Sequence, residues 1–157
     1  MKKVKVIIAE DHYLTAKLLQ LSLSRTSNIS VVGVATNGKE LIDLVRKNEV
    51  DVILMDINMP YLDGIQAMDA IFRVNSLVRI LVLSGHTEAW VIRHSLNSGA
   101  SGYLTKKVSQ VEIIDAIMAV HEGGAYLDMM SLDVILNDFD LTDEEESKSN
   151  PKKYSMN

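Results

Sequence analysis

Three acidic residues stand where two apolar runs end: Glu10 and Asp11 after Val4–Ala9, and Asp56 after Val52–Met55. If both runs are neighbouring parallel strands, these carboxylates converge at the carboxyl edge of the sheet, where open α/β sheets place their ligands. Like charges held so close repel, and each loses hydration. A hard divalent cation such as Mg²⁺ resolves that conflict, taking one or two carboxylates while keeping several waters. The cluster therefore points to a metal site at Glu10, Asp11 and Asp56, and through it to phosphoryl chemistry.

Other residues stand where they could join this site. Asp56 opens Asp56-Ile57-Asn58-Met59-Pro60, with Asp63-Gly64 next, a strand end breaking into a loop. Such a loop can turn the Asn58 carbonyl inward as a further oxygen ligand. Ser84 closes a later apolar run, and Gly85 leaves room above it. Lys106 follows Gly102-Tyr103-Leu104-Thr105. Taken singly, each has an ordinary reading: Asp56 as a turn or cap residue, Glu10-Asp11 as caps of the first helix, Ser84 as a loop hydroxyl, Lys106 as a solvated surface lysine. Tyr103 alone reads as half-buried packing. The joint placement at strand ends favours chemistry. His12, His86, His94 and His121 share no metal-ligand spacing and are expected mostly at exposed positions, His12 near the rim of the pocket.

These residues need a scaffold, and the chain alternates short β-rich runs with helical ones. Strands are expected near 4–9, 30–35, 51–56, 79–84 and 101–105, and helices near 13–25, 38–48, 64–74, 87–98 and 108–122. Val52–Met55 and Ile80–Leu83 are unbroken apolar runs, the mark of strands covered on both faces. Alternation with short connections implies right-handed parallel βαβ units. The expected fold is α/β, a doubly wound five-stranded parallel sheet of flavodoxin-like (βα)₅ type with strand order 2-1-3-4-5. In that order strands one, three, four and five are contiguous, so the site residues face one pocket.

Helices one and five are apolar on more than one side. Leu14, Leu18 and Leu21 form one stripe and Ala16, Leu19 and Leu23 another; Val111, Ile114 and Met118 are set against Ile113, Ile117 and Val120. One stripe of each must cover the sheet. The other packs on a neighbouring helix or forms a homodimer patch joining helices one and five. Trp90 on the fourth helix is expected partly buried, with a partner contact as the alternative, and Met129-Met130 are expected to pack a short helix near 129–139. Residues 142–157 are almost free of apolar side chains and are expected to be disordered.

With 157 residues, 47% hydrophobic and 24% charged, and a net charge of −5, the chain is long enough for one domain with a proper core. That balance argues against DNA binding by these residues. The absence of cysteine excludes disulfides and thiolate chemistry. No apolar run approaches the ~20 residues of a membrane span, and Met1-Lys2-Lys3 leading straight into a strand does not read as a signal peptide. A cytoplasmic domain is the expectation.

The motifs together resemble the receiver domain of bacterial two-component response regulators. The resemblance rests on Glu10-Asp11, Asp56-x-x-Met59-Pro60 with Gly64, Ser84-Gly85, and Gly102-Tyr103-Leu104-x-Lys106, over roughly residues 3–138. Gly124-Ala125-Tyr126-Leu127 looks like the subgroup that usually carries a helix-turn-helix output domain. The resemblance implies a phosphoacceptor signalling switch rather than a turnover enzyme. Asp56 would accept a phosphoryl group from a histidine kinase or histidine phosphotransfer protein. Asp11 would hold Mg²⁺ directly and Glu10 mainly through water. Lys106 would pair with the phosphoryl group, and Ser84 would donate a hydroxyl hydrogen bond to it. Tyr103 would then rotate inward beside Gly85, changing the surface of helix four, strand five and helix five.

The implied organisation is a receiver over 1–126, an extra helix or linker over 127–140, and a tail over 141–157 with the output domain absent or truncated. Leu141-Thr142-x-x-Glu145 resembles the opening of an output-domain helix before the chain turns polar. Lys107 stands where the family often has proline or an acidic residue, and a cis bond without proline costs ~3 kcal/mol; the geometry after Lys106 is left open. Two rival classes fit less well. A haloacid-dehalogenase-type phosphatase would want aspartate where Asn58 stands, and a flavin module would want a Ser/Thr-rich phosphate loop where Glu10-Asp11 stand.

Overall fold

The computed structural model describes residues 2–60 and 63–138. Its elements run β1 (Val4–Ala9), α1 (Tyr13–Ser24), β2 (Ile29–Ala35), α2 (Gly38–Lys47), β3 (Val52–Met55), α3 (Gly64–Val74), β4 (Arg79–Ser84), α4 (Ala89–Asn97), β5 (Gly102–Thr105), α5 (Gln110–His121) and β6 (Tyr126–Leu127). A last helix, α6, covers 129–138. The first ten elements agree with the sequence expectation to within two residues at each end. The expected tail and the Leu141-Thr142-x-x-Glu145 segment lie outside the described residues.

The sheet order is β2-β1-β3-β4-β5-β6, and every pair is parallel. The expected 2-1-3-4-5 order is present, extended by one strand. β6 pairs Gly102 with Tyr126 and Tyr103 with Leu127. Gly102 makes that approach possible, since a Cβ there would lie 2.5 Å from the Tyr126 carbonyl oxygen. A two-residue strand has no periodicity of its own, so the sequence gives no sign of it.

Alternation along the strands feeds two separate cores. Ile7, Ile53, Met55, Ile80 and Val82 point to the side covered by α2, α3 and α4, meeting Leu41, Met68, Ile71 and Ile92. Val6, Ile8, Leu54, Leu81 and Leu104 point to the other, meeting Leu19 and Leu23 of α1 and Ile113, Ile117 and Val120 of α5. The unbroken apolar runs are explained by this, because both faces are covered. Ile135 carries α6 into the first core, and Arg93 of α4 pairs with Asp138 at 2.6 Å.

The caps follow the local sequence. His12 Nδ1 accepts from the Thr15 N–H, so the first helix is capped by His12 rather than by Glu10-Asp11. The Asn37 side chain accepts from the Glu40 N–H at 2.9 Å, and Glu40 returns a bond to the Thr36 N–H at 3.0 Å. The expected boundary at Gly99 has a φ of +112°, which glycine adopts without strain.

Several side chains differ from expectation. Trp90 is 65% exposed rather than partly buried, because Val91 and Ile92 take the inward face of α4. Met129 and Met130 point outward while Ser131 and Ile135 face inward. Leu14, Leu18 and Leu21 are 61%, 59% and 49% exposed, so no neighbouring helix covers the outer stripe of α1 among the described residues. Val111 of α5 is likewise exposed. The described residues contain no cis peptide, so the bond after Lys106 is trans. Among them no helix is long and apolar enough to cross a membrane.

Candidate functional site

The parallel ladder runs one residue past each central strand and so fixes the backbone of the site. The Glu10 N–H donates to the Ala35 carbonyl at 2.9 Å, the Asp56 N–H to the Ala9 carbonyl at 2.9 Å, and the Lys106 N–H to the Ser84 carbonyl at 3.0 Å. Three of the expected site residues thus leave the sheet from bonded positions, their side chains free to turn to chemistry.

Glu10, Asp11 and Asp56 each offer a carboxylate oxygen, and these oxygens lie within 4.8 Å of one another. Glu10 and Asp56 are buried, while Asp11 is exposed. The Lys106 ammonium donates to Asp56 Oδ2 at 2.9 Å and to Glu10 Oε1 and Oε2 at 3.2 and 3.3 Å. Burial, together with the neighbouring Asp56 carboxyl, pushes the Glu10 carboxyl up to about 7 from 4.5, even though Lys106 opposes the shift. Burial would lower the Lys106 ammonium, but Asp56 and Glu10 outweigh it and raise it above the usual lysine value.

Three carboxylates against one ammonium leave negative charge with little water to screen it. The all-oxygen donor set, one member open to solvent, fits a hard cation that retains part of its hydration. Mg²⁺ fits this set, and Glu10, Asp11 and Asp56 are the residues that would hold it.

The remaining expected residues surround the cluster. The Asn58 N–H donates to Asp56 Oδ1 at 3.0 Å, and its side-chain amide lies 2.6 Å from His86 Nε2. Ser84 is fully buried, and its Oγ accepts from the His86 N–H at 3.1 Å. The Tyr103 hydroxyl donates to the His86 carbonyl at 2.8 Å. The ring is wholly buried, so Tyr103 is not the half-buried packing residue expected of it; it already sits inside, under the loop after β4.

Two residues of this region were not singled out as site residues from the sequence. His86 is bonded through both backbone groups and through its ring, joining the loops after β3 and β4. Only its place directly after Ser84-Gly85 could have drawn notice. Asp128 holds Thr105, the neighbour of Lys106, and no motif marks it.

A family model described as the response regulator receiver domain matches residues 6–118. The transcriptional regulatory protein DegU of Brevibacillus brevis is 37% identical over 125 residues, which is 80% of this chain and 53% of the relative. The response regulator UvrY of Escherichia coli K12 is 35% identical over 79% of this chain and 57% of its own length. The chain thus spans about half the length of these curated relatives. Among solved structures, a LuxR-family two-component response regulator from Aurantimonas superposes with a TM-score of 0.83 at 25% identity, covering 87% of this chain and 98% of that one. The signal receiver domain of NarL from Mycobacterium tuberculosis gives 0.74 at 33% identity, covering 78% and 99%. Family match, relatives and fold agree: the chain belongs to the response regulator receiver domains.

Proposed function

We propose that this chain is an Mg²⁺-dependent phosphoacceptor switch in which Asp56 takes a phosphoryl group from a histidine kinase or histidine phosphotransfer protein. The observation that carries the reading is the Lys106 ammonium shared between the buried carboxylates of Asp56 and Glu10. A carboxylate oxygen of Asp56 attacks phosphorus while the phosphorus–nitrogen bond of the donor imidazole breaks, and the leaving nitrogen keeps the electron pair and takes up a proton. Glu10, Asp11, Asp56 and the Asn58 carbonyl would hold a divalent cation, which when bound would neutralise charge at the phosphoryl oxygens. Lys106 moves from carboxylate to phosphoryl oxygen as a point charge. Ser84 donates a hydroxyl hydrogen bond to another phosphoryl oxygen, pulling inward the loop whose His86 N–H its Oγ accepts. Tyr103, bonded to the same loop, completes the switch.

The readout in this proposal is the surface of α4, β5 and α5, which controls an output domain or partner. The exposed stripe of α1, with Val111 of α5 beside it, forms a homodimer patch that strengthens on phosphorylation. DNA contact is not assigned to these residues, and a cytoplasmic location goes with a kinase partner. Sedimentation of both forms checks the patch, and a monomer at high concentration in each would remove it.

Phosphoramidate and Mg²⁺ followed by intact-mass measurement tests the chemistry. The expected product is one labile phosphoryl adduct, absent without Mg²⁺ and absent in Asp56→Asn. An adduct that persists unchanged in Asp56→Asn overturns the assignment.

A further inference from the structure

Where β5 meets α6 lies a buried carboxylate that the phosphoryl chemistry does not use. Asp128 is 3% exposed. Its Oδ2 accepts both the backbone N–H and the hydroxyl of Thr105, each at 2.7 Å, and its Oδ1 accepts the Ser131 N–H at 2.8 Å. Its own N–H donates to the Tyr103 carbonyl at 3.3 Å. Burial alone would push this carboxyl up, but the donors from Ser131 and Thr105 outweigh it and hold it below the usual carboxylate range.

The location gives these bonds a meaning. β6 ends at Leu127, opposite Tyr103, so Thr105 has no strand partner on that side. Asp128 takes the place of the missing strand and satisfies the Thr105 N–H with its carboxylate. The next residue is Lys106, whose N–H bonds the other way, to Ser84. The same carboxylate caps the first turn of α6, which is seated by Ile135 and by the Arg93–Asp138 pair.

We propose that Asp128 is a positioning residue for Lys106: anchored at the start of α6, it clamps the end of β5 from which the ammonium reaches Asp56. This rests on Lys106 being the cation that meets the phosphoryl group. It also ties the seating of α6 to the chemistry, since one side chain serves both.

The site geometry supplies a readout that mere loosening of the fold cannot mimic. Lys106 lies on the Glu10 and Asp56 carboxylates that a divalent cation would also draw on. An ammonium that drifts away slows phosphoryl uptake yet strengthens Mg²⁺ binding, whereas general loosening weakens both. The full chain and its Asp128→Ala and Thr105→Val variants are compared by isothermal titration with Mg²⁺ alone and by intact-mass time courses with phosphoramidate. Asp128→Ala is expected to slow uptake about tenfold, as small misplacements of a reacting group do, and to tighten Mg²⁺ about threefold through the lost competing charge. Thr105→Val shifts both in the same senses by less, and it carries the test should Asp128→Ala not fold. Unchanged values, or uptake and Mg²⁺ affinity falling together, overturn the proposal. If the unmodified chain takes no phosphoryl group, the functional reading fails, and the Mg²⁺ titration alone then decides whether Asp128 holds Lys106.

Discussion

The two edges of the sheet carry comparable charge and put it to different uses. At the amino edge a cavity of about 660 Å³ is lined by Lys2, Lys3, Lys5, Glu49, Asp51 and Arg79 among others. Lys5 pairs there with Glu49, whose side chain is 82% exposed, and Asp51 accepts the Lys5 N–H at 2.8 Å. At the carboxyl edge the Glu10 and Asp56 side chains are only 3% and 7% exposed. Both edges mix the signs with one in excess, but the amino edge keeps its charges near water. At the carboxyl edge Glu10 and Asp56 are withdrawn from water, and there a carboxyl is driven towards neutrality. Desolvation, rather than the number of charges or the size of a cavity, separates a reactive edge from a solvated one.

Paired substitutions at the two edges sharpen that contrast. The largest difference is expected for the lysines. Lys106→Ala should slow phosphoryl uptake about 100-fold, the order seen when a group that stabilises developing charge is removed, while Lys5→Ala leaves the mass-spectrometric time course unchanged. Next is the response to metal. Mg²⁺ at about 100 times its Kd should add about 2.7 kcal/mol to unfolding free energy by mass action. Asp11→Ala should abolish that gain in urea titrations, and Glu49→Gln should keep it.

A smaller effect concerns pH in the absence of metal. The Glu10 carboxyl lies at about 7 in the folded chain against 4.5 ordinarily, so the folded state holds the proton more tightly. Its contribution to stability is fully present below about pH 4.5 and is lost as pH rises through about 7. Urea unfolding in EDTA across this window should show the loss in the unmodified chain and a flatter profile in Glu10→Gln; equal slopes would break the comparison. The smallest expected change is that of Glu49→Gln, which should leave the metal-free Tm where it was, as surface ion pairs contribute little.

Much of this organisation was legible in the residues, for physical reasons. Ile7, Ile53 and Ile80 sit in runs that betray burial on both faces, and such runs fix the strands, their ends and therefore the place of Glu10, Asp56, Ser84 and Lys106. The double stripes of α1 and α5 were legible too, but not which stripe faces the sheet, because Leu18 and Leu19 are alike in chemistry. β6 was not legible, since two residues carry no period. Nor was Asp128, whose partners lie 23 residues back at Thr105 and whose role depends on where β6 stops. Trp90 misled because its size argues for burial, whereas the turn of α4 gives the inward positions to Val91 and Ile92.

The strand that carries Asp56 has a neighbour on either hand, β1 and β4, and its four residues are essentially closed to solvent. Shifting it by even a fraction of an ångström would disturb two ladders and both cores at once, and close-packed interiors resist that. Asp56 therefore stands on an anvil: a change of charge there is not absorbed by the strand but thrown outward into whatever can yield. What can yield is the loops, which His86 ties to one another.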